Sequence, residues 1–232
     1  MKEPGVDAVK VQTYTADTMT IASDKPPFLI GGGTLWDGRT LHDLYQEAYM
    51  PWDWQPKLKK ISNDLGMHFF STPFDASAVD FLEAMDVPVH KIASFELVDL
   101  PLLRKIAATQ KPIIMSTSMS TLDEISEALD TLRLAESGPV LLLKCTSAYP
   151  ATADEMDLRT IHDMAAHFQT HVGLSEHTIG STVAEAAVAL GACVVEKHEQ
   201  HPLPDPDLDP GARPGQLGLG ARASSVGRGL AG

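Results

Sequence analysis

The stretch HFFSTPFDASAVDFLEAM (68–85) holds the key to the fold. A short apolar run ends in the polar pair Ser71 and Thr72, and a helical pattern, SAVDFLEAM (77–85), follows. The same unit returns along the chain. Strand candidates are DAVKVQTY (7–14), HFFSTPF (68–74), HKIASFEL (90–97) and PIIMSTS (112–118), then VLLLKCTS (140–147), HVGLSEHT (171–178) and ACVVEKH (192–198). These runs are largely apolar rather than alternating, the pattern of parallel strands covered on both faces. Helical patterns fill the gaps: DLPLLRKIAAT (99–109), TLDEISEALDTLRL (121–134), LRTIHDMAAHF (158–168) and STVAEAAVALG (181–191). Thr121 and Glu124 stand at capping-box spacing, and Gly191 suits a helix C-terminus. Seven strands alternating with helices predict an α/β fold, a (β/α)8 TIM barrel that is one unit short. A doubly wound open sheet is the alternative, but no Gly-rich phosphate loop follows the first strand. The GGG at 31–33 lacks the Gly-Lys-Ser/Thr continuation of a P-loop and reads as a turn.

Bulk properties exclude several classes. The 232 residues carry 18 Lys and Arg against 31 Asp and Glu, a net charge of −13. Such a chain has no basic footprint for nucleic acid. Met1 is followed by Lys-Glu-Pro-Gly rather than an apolar run, and no stretch reaches the length of a membrane span. The expectation is a cytoplasmic protein without membrane or nucleic-acid partners. Cys145 and Cys193 form no disulfide framework, and a buried strand cysteine such as Cys145 is usually inert as a nucleophile.

In a barrel the C-terminal strand ends form the active-site face, and here they are polar. Lys10 and Gln12, Ser71 and Thr72, Ser94 and Glu96, Ser116 and Thr117, Thr146 and Ser147, Ser175 and His177, Glu196 and His198 all fall there. A single Ser or Thr at such a place most often caps the next helix; seven strand ends together point to a site. Lys10 and Lys91 lie inside apolar strands, where an ammonium needs a partner: a barrel carboxylate such as Glu96 or Glu196, or an anionic phosphate compound. His177 and His198 close consecutive strands, with Glu176 and Glu196 beside them. Two imidazoles plus oxygen ligands suit a labile Mn2+ or Mg2+ ion, and hydrogen-bonded structural histidines are the other reading.

The blocks VKVQTYT, FFSTPFD, HKIASFE, IIMSTSM, LLKCTSAYP, GLSEHT and VALGACVVEKH resemble, in this order, the sialic acid synthase family, over about residues 3–198. The segment GGTLWDGRTLHDLYQEAYMPWDWQ (32–55) is similar to its pseudaminic acid branch. The resemblance implies condensation of phosphoenolpyruvate with an amino sugar, a 2,4-diacetamido-2,4,6-trideoxy hexose, to give a nine-carbon nonulosonic acid and phosphate. It implies that Lys91 and Ser94 hold phosphoenolpyruvate, that Glu96 is an acid/base group, and that Thr72, Ser116 and Ser175 supply phosphate-side hydroxyls. Lys10 and Gln12 match a site pair on one strand, with Gln12 beside Glu96 and Lys91 in the catalytic set. Ser147 and Tyr149 fall on the sugar side, and His177 and His198 match two metal-binding histidines. A homodimer is implied for the full-length family form.

The chain also departs from the family pattern. The family's first strand carries a site glutamate, whereas this sequence opens inside the helix that follows it. Residues 202–232 hold five Pro and seven Gly, and 201–232 reads as a disordered tail after a partial barrel domain at 1–200. Without a first strand, the strands at 7–14 and 192–198 are expected to present unpaired edges. Trp36, Trp52 and Trp54 all lie in the long connection between the first two strands, with Tyr45 and Tyr49. A connection this long on the functional rim suggests a substrate-covering element; an apolar cluster on the barrel's outside is the alternative.

Overall fold

A computed structural model describes residues 5–31, 36–148, 151–198 and 224–228. Seven parallel strands run in chain order around a barrel: β1 (Ala8–Thr13), β2 (His68–Pro73), β3 (His90–Ile92), β4 (Ile113–Ser116), β5 (Val140–Cys145), β6 (His171–Glu176) and β7 (Val194–His198). An open doubly wound sheet is excluded. The long connection carries α1 (Ala16–Met19), α2 (Leu41–Ala48) and α3 (Gln55–Asp64). Helices α4 (Ala76–Ala84), α5 (Leu100–Ala107), α6 (Leu122–Leu134), α7 (Thr160–Phe168) and α8 (Thr182–Ala189) follow β2 to β6 in alternation, leaving out the short turn at β3.

Local chemistry sets the helix starts. The Asp75 carboxylate accepts from the Ser77 and Ala78 amides at the start of α4, and Asp99 caps α5 by accepting from Leu102. Thr121 and Glu124 form the expected capping box on α6. Gly191, at φ +100°, ends the turn after α8, where a side chain would be strained. Strand β3 is shorter than its apolar run suggested. Ser94 has already turned to φ −62°, and Glu96 lies in a 3-10 turn, Phe95–Val98, not on the strand.

The side chains form two layers around the strands. Outside, the core of Ile92, Leu103, Ile106, Met115, Leu129, Leu132, Leu142 and Leu174 packs the sheet against the helices. Inside, Ala8 and Phe70 cluster with Val89, Ile114 and Val194. Moving two residues along each strand keeps the same face. That step leads from Ala8 to Lys10, from Phe70 to Thr72, from Val89 to Lys91, from Ile114 to Ser116 and from Val194 to Glu196. An apolar floor therefore carries a polar layer directly above it.

The edges expected to stay open do not. Strand β8 (Ser224–Arg228) lies antiparallel between β1 and β7, with Lys10 opposite Ser224 on one side and Glu196 opposite Val226 on the other. Backbone amide and carbonyl groups on two strand edges need partners, and an extended segment of the tail supplies them. Of the tail at 201–232, these five residues are the ones the structure describes.

Gly173 in β6 is needed for β7 to approach. A Cβ there would run into the Val194 carbonyl oxygen and come within 2.9 Å of Leu143 Cδ2. Gly173→Ala is therefore expected to lower unfolding stability by about 1–3 kcal/mol, read by urea denaturation. Unchanged stability would show that β6 and β7 can part without cost.

Candidate active site

Lys10 and Glu196, at the two ends of the sheet, form an ion pair of 2.9 Å inside the barrel, where both are almost wholly buried. The Ser175 hydroxyl also donates to Glu196 Oε1, at 3.3 Å. Lys91 behaves differently. Its Nζ donates to Ser116 Oγ at 2.6 Å and to the Ile92 carbonyl at 2.9 Å, and it forms no salt bridge among the described residues. Burial drives its pKa down from 10.5 to about 8, with the Glu196 carboxylate opposing that shift and the Lys10 ammonium adding to it. Of the two ways to satisfy a buried lysine, Lys10 takes the carboxylate, while Lys91 forms no salt bridge with any acid among the described residues.

Ser94 Oγ accepts from the Ser118 amide at 3.1 Å, tying the turn after β3 to the end of β4. Glu96 is half-buried there; desolvation raises its pKa while Lys91 pulls it back. Gln12 pairs in register with Thr72 across β1 and β2, and Thr72 is buried. Ser147 is exposed in the loop after β5, and Tyr149 lies outside the described residues. Cys145 is buried between Ser175 and Ser94, and burial lifts its thiol pKa, so it is no ready nucleophile.

His177 follows β6 directly. Its Nδ1 lies 2.6 Å from the Thr146 carbonyl, which can only accept, so Nδ1 carries the proton and Nε2 the lone pair, 3.3 Å from Ser175 Oγ. Burial lowers its pKa and keeps the ring neutral. That charge and tautomer are those of a metal ligand oriented by a carbonyl behind it, so His177 fits a divalent ion. His198 ends the neighbouring strand, one residue beyond the last register pair, Glu176 with Lys197; its side chain lies outside the described residues. No group of three His, Cys, Asp or Glu side chains gathers among the described residues. Glu176 does not join the two histidines. Strand alternation turns it to the outer face, where it accepts from the Thr178 amide at 2.9 Å and pairs with Lys197. Glu196, two residues before His198, is the inward carboxylate. Its i, i+2 spacing from His198 was the signal for that.

Of the three tryptophans of the connection, Trp52 is placed on the outside of the barrel. Trp52 stacks on Phe81 of α4 at 4.9 Å and donates to the Tyr14 carbonyl, which is the outside-cluster alternative. Trp54 is largely exposed on the surface, and Trp36 lies in a turn. Tyr45, noted with the tryptophans in this connection, packs edge-on against Tyr14 with ring centroids 5.9 Å apart. A cavity of about 440 Å³ opens beside the mouth between α6 and α7, lined by Lys144, Cys145, Asp163 and His167 among others. It shares only Cys145 and the end of β4 with the polar layer.

A family model for NeuB matches residues 1–217. The chain belongs to the NeuB family. It is 43% identical over 198 residues to a pseudaminic acid synthase of Helicobacter pylori, an alignment covering 85% of this chain and 58% of the relative. It is 36% identical over 213 residues to an N,N'-diacetyllegionaminic acid synthase of Legionella pneumophila, covering 89% and 59%. The crystal structure of an N-acetylneuraminic acid synthetase from Leptospira borgpetersenii superposes with a TM-score of 0.71 at 25% identity, covering 83% of this chain and 61% of that one. This NeuB-family chain thus spans less than two thirds of the length of each of these relatives. No helix among its described residues is long and apolar enough to cross a membrane.

The Lys91 ammonium gives a pH test with a definite sign. Its folded pKa lies below its unfolded one, so the cost of burying the charge is fully present below about pH 8 and fades as pH rises towards 10.5. Wild-type stability should therefore climb by roughly 2–3 kcal/mol relative to Lys91→Met across that window. Urea unfolding at stepped pH measures it; parallel curves for the two proteins would remove the assignment.

Proposed function

We propose that this NeuB-family protein condenses phosphoenolpyruvate with an open-chain 2,4-diacetamido-2,4,6-trideoxy hexose to give a nine-carbon nonulosonic acid and phosphate. The observation that carries the reading is Lys91: a buried ammonium beside Ser116 at the barrel mouth, with no carboxylate bonded to it among the described residues. An anionic, phosphate-bearing ligand satisfies that charge better than any neutral one. The Helicobacter pylori relative supports the pseudaminic sugar in particular.

In this reading Lys91, Ser94, Ser116, Thr72 and Ser175 orient the phosphate end of phosphoenolpyruvate, and Lys10 with Gln12 bounds its other side. C3 of phosphoenolpyruvate attacks the sugar aldehyde carbon, the aldehyde oxygen takes up a proton to become a hydroxyl, and C2 becomes electron-poor. Water adds at C2, its proton leaving to a base, and the C2–O bond to phosphate then breaks. Glu96 is suited to that proton because burial raises its pKa towards the working range of a general acid/base. Fixed orientation of two reactants supplies much of the rate advantage. Ser147 and Tyr149 belong to the sugar side. His177 and His198 would hold a divalent ion of the Mn2+ or Mg2+ type, which supplies Lewis acidity to a carbonyl oxygen when bound.

The 36% identity to the Legionella pneumophila relative favours a second reading, in which the sugar is that of another nonulosonic acid. Phosphate release from phosphoenolpyruvate with Mn2+, measured against 2,4-diacetamido-2,4,6-trideoxy-altrose, against its manno stereoisomer and against N-acetylmannosamine, separates the readings. Turnover of the altrose derivative alone is expected; turnover of either other sugar alone would replace the sugar assignment. Binding of phosphoenolpyruvate without any release would leave a ligand-binding fragment and no condensation.

Removing the metal gives an independent check. Dialysis against a chelator should abolish release, and added Mn2+ should restore it. His177→Ala should be insensitive to the added ion. Full activity after exhaustive chelation would take the ion out of the reaction.

A further inference from the structure

The connection between β1 and β2 meets the sheet in a polar contact that strand pairing alone does not explain. Thr13 ends β1, and its hydroxyl donates to Gln55 Oε1 at 2.9 Å. With that proton committed, the Ser71 hydroxyl of β2 donates to Thr13 Oγ1 across 2.6 Å. All three residues are fully buried, and Gln55 Nε2 has no hydrogen-bond partner among the described residues. Gln55 is the first residue of α3, so the connection itself delivers the third member.

This clip lies on the outer face of the sheet. Val11 and Phe69 pack outward with Met50, Leu82 and Val87, and a step of two residues along each strand leads to Thr13 and Ser71. The register pairs Val11 with Ser71, Gln12 with Thr72 and Thr13 with Pro73. Thr13 and Ser71 therefore reach diagonally across the rung of Gln12 and Thr72, whose side chains face the other way, into the barrel. The backbone ladder weakens at this end, because Pro73 has no N–H to give it. A side-chain bond holds the end of the pairing instead.

Stability alone does not call for such a clip. Apolar side chains of the same shape would fill the space beside Val11 and Phe69 and leave no orphaned amide. What two hydroxyls and an amide supply is direction: a hydrogen bond fixes distance and angle where apolar contact tolerates sliding.

We propose that Thr13, Ser71 and Gln55 are positioning residues for the anionic reactant, setting from behind the sheet where the Thr72 hydroxyl stands. Thr72 is buried and directly follows Ser71. The proposal rests on the condensation reading for the identity of that reactant, phosphoenolpyruvate. Through Gln55 it gives the inserted connection a part in holding the phosphate side of the site.

The test uses Thr13→Val, which keeps the shape and removes the hydroxyl, and Thr13→Ser, which keeps the hydroxyl. Calorimetry with phosphoenolpyruvate and Mn2+ reads Thr13→Val in the wild-type and the Thr72→Ala backgrounds. Thr13→Val should bind about tenfold more weakly than wild type, the worth of one hydrogen bond to a charged group. Thr13→Ser should stay within about threefold of wild type. With Thr72→Ala already in place, Thr13→Val should add less than about threefold, because nothing is left for it to position. Affinity of Thr13→Val close to wild type would overturn the proposal, as would an equally weak Thr13→Ser. So would an equal loss in both backgrounds, the mark of general loosening. If Thr13→Val does not fold, Ser71→Ala breaks the clip from β2 and is held to the same figures; if neither folds, the clip is structural and the proposal falls. If wild type binds phosphoenolpyruvate yet releases no phosphate with any of the sugars, the condensation reading falls while the comparison still decides the clip. If wild type does not bind phosphoenolpyruvate, both fall together.

Discussion

The ion pair between Lys10 and Glu196 joins residues 186 apart in sequence, across the seam where the barrel closes. Charges this deeply buried are stable only when paired and hydrogen-bonded, so the pair requires β1 and β7 to be held at a fixed separation. The antiparallel β8 spans that seam, bonded to both strands. Once the pair is formed, Glu196 also accepts from Ser175, and Ser175 lies against the His177 ring. The seam thus orients the part of the site that suits a divalent ion. It also commits the Glu196 carboxylate to Lys10.

Lys91, by contrast, forms no salt bridge among the described residues. The two lysines sit on equivalent rungs of β1 and β3, each two residues above the apolar floor, but they have opposite consequences. Lys10 is a structural cation neutralised within the chain. Lys91, held by a hydroxyl and a carbonyl, is poised for an anion from outside. Its lowered pKa and the raised pKa of Glu96 share one cause, desolvation, and both place the groups closer to the pH range in which protons are exchanged.

The site is asymmetric in origin as well as in charge. The groups suited to an anion come from strand ends, whose positions the sheet hydrogen bonds fix. The inserted connection meets them from behind, through the Gln55 bond to Thr13, and is fastened by an aromatic edge and the Trp52 bond to the Tyr14 carbonyl.

The succession of strands and helices was legible in the residues, because parallel strands buried on both faces must be apolar throughout and helix starts carry their caps locally. The polar strand ends were legible for the same reason: a charged or hydroxylated residue at the end of an apolar run has few other places to be. The tertiary structure decided three things. It sent Glu176 outward and Glu196 inward, which depends on the register of β6 and β7 and not on the composition around the histidines. It placed Ser94 and Glu96 on a turn, because the chain leaves the sheet after Ile92 to let Leu97 into the outer core. It closed the seam with Ser224–Arg228, a segment whose own sequence has no strand pattern and whose pairing comes from the two edges it meets. Local sequence encodes burial and caps; which side chains finally face one another is set by register and long-range closure, and no short stretch contains that information.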